Sequence, residues 1–191
     1  MKSIITLISA AFFIQCSAQQ ISADSVIMRR NQLNKNNAII LASWAGANIV
    51  QGSLAATNSK GSNKYFWNMN AYFNAVNLAV SGYGLYAVKK EMTRKLSDSE
   101  NYRKQNTIEK ILLLNTGLDA AYIMGGLYLN ERGKRLANEK TEGYGSSLIL
   151  QGGFLLVFDL IQYFEHRNNG KNLQKFNFQF TPTGAGIAYL L

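Results

Sequence analysis

The chain has 191 residues, of which 47% are hydrophobic and only 16% charged, with a formal net charge of +9. One cysteine (Cys16), one histidine (His166) and one proline (Pro182) exclude a Cys/His zinc site, a haem held by paired imidazoles and a disulfide scaffold. The length suits a single domain, yet soluble domains carry roughly 25% charged residues and this chain falls well short.

Met1-Lys2, the apolar run from Ile4 to Ile14 and the small residues of Cys16-Ser17-Ala18 read as a secretory signal peptide over 1–18, with cleavage expected after Ala18. An acylated Cys16 is the weaker reading, because Gln15 before it is larger than a lipoprotein site wants. Residues 19–36 form an amphipathic lead-in, with Asp24 or Ser25 as the candidate cap.

The positions of the charges are more informative than their number. Residues 36–59 and 65–88 carry none; 111–130 hold only Asp119, and 145–164 only Asp159. Each window is about the 20 residues that a helix needs to cross a bilayer. The expected fold is therefore all-α, a four-helix transmembrane-type bundle over 37–164 with spans at 37–57, 65–88, 111–130 and 145–164. An exported soluble bundle is the competing architecture, but its outer faces would carry Lys, Glu and Arg.

The polar side of each window is uncharged. Trp44, Asn48, Gln51 and Ala55 share one helical face; Asn70, Asn74, Asn77 and Ser81 recur along the second window. Asn115, Asp119, Tyr122, Gly126 and Asn130 align in the third. In the fourth, Tyr144, Ser147, Gln151 and Gln162 align with Asp159 beside them. A narrow amide and hydroxyl stripe on an apolar helix suits an interior seam in a membrane bundle. Small residues such as Ala42/Gly46, Gly52/Ala56, Gly117, Gly126 and Gly152 allow backbones to approach. Tyr65, Phe66 and Trp67 at one window edge and Tyr163 and Phe164 at another fit membrane interfaces.

Orientation conflicts with this scheme. With a cleaved signal, the outer side would carry 13 Lys and Arg residues: Arg29, Arg30 and Lys35, the seven from Lys89 to Lys110, and Arg167, Lys171 and Lys175. The inner side would carry six, Lys60, Lys64, Arg132, Lys134, Arg135 and Lys140, opposite to the positive-inside bias. An envelope membrane is expected, the inner membrane first, with the outer membrane or periplasm as alternatives.

Residues 89–110 read as a solvated connector, and Gly133 as a helix stop. In the tail, 165–191, Phe176, Phe178 and Phe180 alternate with polar residues. Pro182-Thr183-Gly184 then makes a turn before Ile187, Tyr189 and Leu191, giving a short C-terminal β-hairpin. The expected partners are the lipid bilayer and a protein partner or second copy. Nucleic acid is not expected, because an exported basic chain meets anionic headgroups first.

Several blocks carry a resemblance: Tyr65-Phe66, Met69-Asn70 and Phe73-Asn74-Ala75-Val76-Asn77; Glu109-Lys110-Ile111-Leu112-Leu113, Asn115 and Gly117-Leu118-Asp119; Gly125-Gly126-Leu127-Tyr128; and Gly143-Tyr144-Gly145 through Gln151-Gly152 to Phe158-Asp159-Leu160. In this order they resemble a bacterial family of unknown function, small proteins with a signal peptide and several hydrophobic helices. The resemblance implies a helical membrane-type protein and no known activity.

Asp119 and Asp159 are the sharpest chemical features, since an ionisable group within a span costs at least about 2.5 kcal/mol at the bilayer centre. The candidate site is a buried polar seam of Asn48, Gln51, Asn70, Asn74, Asn77, Asn115, Asp119, Tyr122, Gln151, Asp159 and Gln162. A structural or partner-binding role leads. A proton, cation or small-ligand path through two carboxyls sharing a proton comes second. An intramembrane acid–base enzyme comes last, because no nucleophile, metal triad or phosphate loop is visible. No catalytic, metal or cofactor residue is assigned. Glu109 and Glu131 read as solvated end charges, Trp44 as a packing anchor and His166 as an interfacial or surface residue.

Overall fold

The computed structural model describes residues 23–174 and two four-residue tail segments, with side chains from 24 to 171 except Asp98. The expected signal peptide lies outside the described residues. Four antiparallel helices make the fold: α1 (Ala23–Asn58), α2 (Gly61–Met92), α3 (Asp98–Arg135) and α4 (Glu139–Gln174). No proline occurs before residue 182, so nothing in the sequence removes a helical donor. At 36 residues, α1 is about 54 Å long, well beyond the roughly 30 Å of a bilayer core.

The lead-in and first span are thus one helix. The expected connector at 89–110 is mostly helical too: α2 runs to Met92 and α3 starts at Asp98. The start of α3 is fixed by a capping box. Ser97 accepts from the Glu100 backbone N–H, while the Glu100 carboxylate accepts from Ser97 N at 2.9 Å. The Ser97 backbone and hydroxyl donors hold the Glu100 carboxyl below its ordinary value. At the opposite end the connections are tight. Gly61 takes φ +61° and Ala137 φ +50° to turn the chain. Gly133 does not stop α3, which continues to Arg135; it sits against Glu142, where a side chain would collide with the backbone of α4.

α3 lies along α4 and α1 along α2, while α2 and α4 meet in the centre. Glycines set the close approaches. A Cβ on Gly126 would stand 2.8 Å from the Gly145 carbonyl, and one on Gly152 would stand 2.9 Å from the Asp119 carbonyl.

The interior is polar and the exterior apolar. Among the described residues, 15 buried side chains are polar or charged and only 7 are hydrophobic. Val50, Leu54, Tyr72, Val76, Leu114, Met124 and Val157 each stand more than half exposed. Three helices, α1, α3 and α4, contain stretches long and apolar enough to cross a membrane. α2 is not among them. Its inner face carries Asn70, Asn74, Asn77 and Ser81, all buried, which interrupt its apolar residues; its outer face presents Tyr72, Val76, Val80 and Tyr83. Hydropathy averages two faces that meet different surroundings.

The C-terminal β-hairpin expected in the tail is not established; only the short backbone segments Phe178–Thr181 and Gly184–Ile187 are described there. Their side chains and the intervening turn lie outside the described residues. Among the described residues the fold rests on the four helices.

A buried polar seam as the candidate functional site

The seam begins as an amide network joining α1, α2 and α4. Trp44 Nε1 donates to Gln151 Oε1 at 3.1 Å, Gln151 Nε2 donates to Asn70 Oδ1, and Asn70 Nδ2 donates to Asn48 Oδ1 at 3.0 Å. Asn48 Nδ2 in turn donates to the Trp44 carbonyl at 2.8 Å. Asn70 and Gln151 are fully buried, and each amide serves as donor and acceptor, so the network carries no net charge. Trp44 also stacks on Phe154 at 3.8 Å. It is the packing anchor expected, with a polar handle in the network. Lower on α2, Asn74 Nδ2 donates to the Asn70 carbonyl at 2.8 Å and Asn77 Nδ2 to Asn74 Oδ1 at 3.5 Å.

A second cluster joins α3 to α4. Asp119, 3% exposed, stands within hydrogen-bonding reach of Asp159, and Asn115 lies against Asp159. Asp119 Oδ2 meets no N–H or O–H donor among the described residues. Nearer the tight end, half-buried Asn130 donates to Ser146 Oγ at 2.6 Å.

Nine of the expected seam residues thus lie inside or at the edge of the bundle: Asn48, Asn70, Asn74, Asn77, Asn115, Asp119, Gln151, Asp159 and Gln162. Gln51 and Tyr122 do not. Gln51 is exposed on the outer side of α1, and Tyr122, 40% exposed, stands edge-on to Phe73 at 5.4 Å. A helical face is wider than its buried line, and both residues lie on its flank.

The seam continues into a charged end that the charge-free windows do not signal. Arg30, 1% exposed, donates Nη2 to Glu91 Oε1 at 2.7 Å and to Asn101 Oδ1 at 2.9 Å, and Nη1 to the Asn101 carbonyl at 3.0 Å. Lys104 completes the group at 2.9 Å from Glu91. Asn169 Nδ2 donates to the Val26 carbonyl at 3.0 Å, tying α4 to α1. His166 is fully buried, contrary to the surface role expected; neither ring nitrogen has a partner among the described residues. It lies beyond the charge-free stretch of α4. Burial and then the Arg30 charge push its imidazole down to about 4. Glu109 is half-buried and accepts Gln105 Nε2 at 3.1 Å, so it is not a freely solvated end charge. Gln105 and His166 continue the polar stripes of α3 and α4 at helical spacing, within two turns of the charge-free stretches, and that continuation is the signal for them in the sequence.

The family model described as a family of unknown function, DUF6992, matches residues 40–160. The chain belongs to that family. The DUF6992 segment takes in the whole amide network and both aspartates, whereas Arg30, His166 and Asn169 fall outside it. No curated protein and no solved structure matches this DUF6992 chain. Among the described residues no cluster of His, Cys, Asp and Glu is arranged to hold a metal.

Proposed function

We propose that the chain is an integral membrane protein of the cell envelope, crossing the bilayer four times at 37–57, 65–88, 111–130 and 145–164. It serves as a structural or partner-binding subunit. The inverted burial carries this reading: amides and carboxyls fill the interior while Val, Leu, Tyr and Met cover the outside. In water this arrangement would leave a large apolar surface exposed. In lipid the outer face is at no disadvantage, and interhelical hydrogen bonds fix the register. The amide network satisfies itself, which suits a scaffold rather than a reactive centre. A tail hairpin at the membrane surface fits the same scheme.

The test is fractionation. The chain should stay with membranes through alkaline carbonate extraction and leave them only in detergent. Recovery in a soluble fraction without detergent would favour the exported soluble bundle.

A second reading rests on the facing carboxyls. Two carboxyls in contact attract only when one of them holds a proton, and no other donor reaches Asp119 Oδ2 among the described residues. The pair is then a proton-holding site in the α3–α4 interface. Infrared spectra of the reconstituted protein should contain a protonated-carboxyl carbonyl band that disappears in the Asp119→Asn/Asp159→Asn double variant. Proton flux through vesicles that falls in the same variant would make the pair a path; a spectrum without that band removes this reading.

A further inference from the structure

At the charged end, a cleft of about 230 Å³ opens between α3 and α4, lined by Tyr102, Gln105, Glu109, Arg167, Gly170 and Lys171. It is smaller than the roughly 300–1,000 Å³ of sites for drug-sized ligands. Its groups are unsatisfied in a complementary way. Gln105 is 2% exposed, and its Nε2 is spent on the His166 carbonyl at 2.6 Å and on Glu109 Oε1. Its Oε1 is buried with no donor among the described residues. Glu109 forms no ion pair among the described residues. Gly170 leaves room for its carboxylate, since a Cβ there would collide with Glu109 Oε1. The cleft therefore offers two acceptors, one of them ionic, that lack a cationic donor.

The other wall offers the opposite. Neither Arg167 nor Lys171 has an acidic partner among the described residues. Arg167 is steadied from below, donating Nη1 to Tyr163 Oη at 2.7 Å with its guanidinium 5.8 Å from the ring centroid. Two cations on one side and a carboxylate with an orphaned amide oxygen on the other fit a small zwitterion. A simple anion would meet Glu109, and a simple cation would meet Arg167 and Lys171.

The depth of the cleft narrows the source. Arg167 and Lys171 lie about 5 and 10 Å past the end of the charge-free stretch of α4, and Glu109 and Gln105 about 3 and 9 Å before that of α3, at 1.5 Å per residue. The headgroup layer adds about 5–7 Å to each side of the bilayer core, so the cleft straddles it. From this cleft we infer that the chain binds a phospholipid headgroup bearing a primary ammonium, a phosphoethanolamine. Its phosphate sits between Arg167 and Lys171, and its ammonium donates to Glu109 and Gln105 Oε1. A choline headgroup has no N–H to donate, and a glycerol headgroup brings no positive charge to Glu109. The inference rests on the membrane reading above for the depth of the site.

The full chain in non-ionic detergent, offered equal amounts of phosphatidylethanolamine, phosphatidylcholine and phosphatidylglycerol, is to be examined by native mass spectrometry. Phosphatidylethanolamine should be retained about tenfold over the other two, as one charge-assisted hydrogen bond provides. Glu109→Gln, which keeps the side-chain shape, should remove that preference. Gly170→Ala should do the same by displacing the carboxylate, and Arg167→Gln should weaken all three lipids alike. Equal retention by the unaltered chain would overturn the inference, as would a preference that survives both Glu109→Gln and Gly170→Ala. Soluble glycerophosphoethanolamine separates the sources. Retention of the lipid with no effect of the soluble compound assigns a membrane headgroup; binding of the soluble compound without the lipid overturns that assignment. Carbonate extraction of the same variants separates the two readings. A chain that stays in the membrane without lipid preference refutes the headgroup site alone, and one that is released refutes the membrane reading.

Discussion

The middle of the bundle and its charged end solve one problem in two ways. In the middle, Trp44, Gln151, Asn70 and Asn48 bury polar atoms by pairing neutral amides across three helices. At the end, Arg30 is buried just as deeply, but a full charge is held by Glu91 and Asn101, with Lys104 beside them. The outer surfaces change in step. Apolar residues surround the amides, while lysines, arginines and glutamates surround the ion pairs. A charge brought out of water keeps much of its cost even when paired, whereas an amide that satisfies another amide costs far less to bury. On the membrane reading proposed above, the switch from amides to ions along the same seam is where the outer solvent would change from lipid to water.

Breaking the charged end should have the largest effect. Arg30→Met leaves Glu91 and Asn101 without their donor and should cost about 3–5 kcal/mol, read by thermal unfolding in detergent; a loss below about 1 kcal/mol would mean that the ion group only decorates the end.

Acidification should loosen the same end. The buried imidazole of His166 is held down to about 4 from its ordinary 6.5. Below that ordinary value an unfolded chain takes up a proton that the folded chain refuses, so stability falls as the pH drops from about 6.5 towards 4. Above that window the contribution is flat. His166→Gln should flatten the difference, and an identical acid profile in this variant would assign the effect elsewhere.

The amide network should give smaller losses. Each interhelical hydrogen bond in a membrane contributes about 0.6 kcal/mol and at most about 1.7. Gln151→Leu removes two and should cost about 1–2 kcal/mol. Adding Asn70→Leu should recover part of it, because the orphaned amide disappears; strictly additive losses would mean that the two side chains do not act together. The smallest effect is expected outside the seam. Ser97→Ala removes an exposed cap and should cost about 0.5–1 kcal/mol, seen as faster hydrogen exchange over the first turn of α3 with the rest of the bundle unchanged.

The charge-free windows made most of the fold legible in the sequence. Four runs without Lys, Arg or Glu locate four helices, and the spacing of Asn70, Asn74 and Asn77 picks out the buried face of α2. What stayed hidden lies where charge returns. Arg30, Gln105 and His166 are deep in the bundle, yet in sequence they sit among exposed lysines and glutamates, and only the neighbouring helices decide which charges are enclosed. Gln51 and Tyr122 erred the other way. Both share a helical face with buried residues but stand on its edge, which spacing alone does not resolve. The contact between Asp119 and Asp159 was foreseeable only as a possibility, because it depends on how α3 and α4 slide against each other on Gly126, Gly145 and Gly152.

The central claim is that the apolar outer surface faces lipid. Cysteines placed one at a time at Val76, Leu114 and Val157, and at Lys90 and Arg103 on the charged end, in a Cys16→Ser background, test it with a membrane-impermeant maleimide. In intact proteoliposomes with the charged end outward, the three apolar positions should stay unlabelled until the protein is denatured, while Lys90→Cys and Arg103→Cys react at once. Prompt labelling at Val76, Leu114 and Val157, equal to that at the charged end, would place that surface in water and contradict the account.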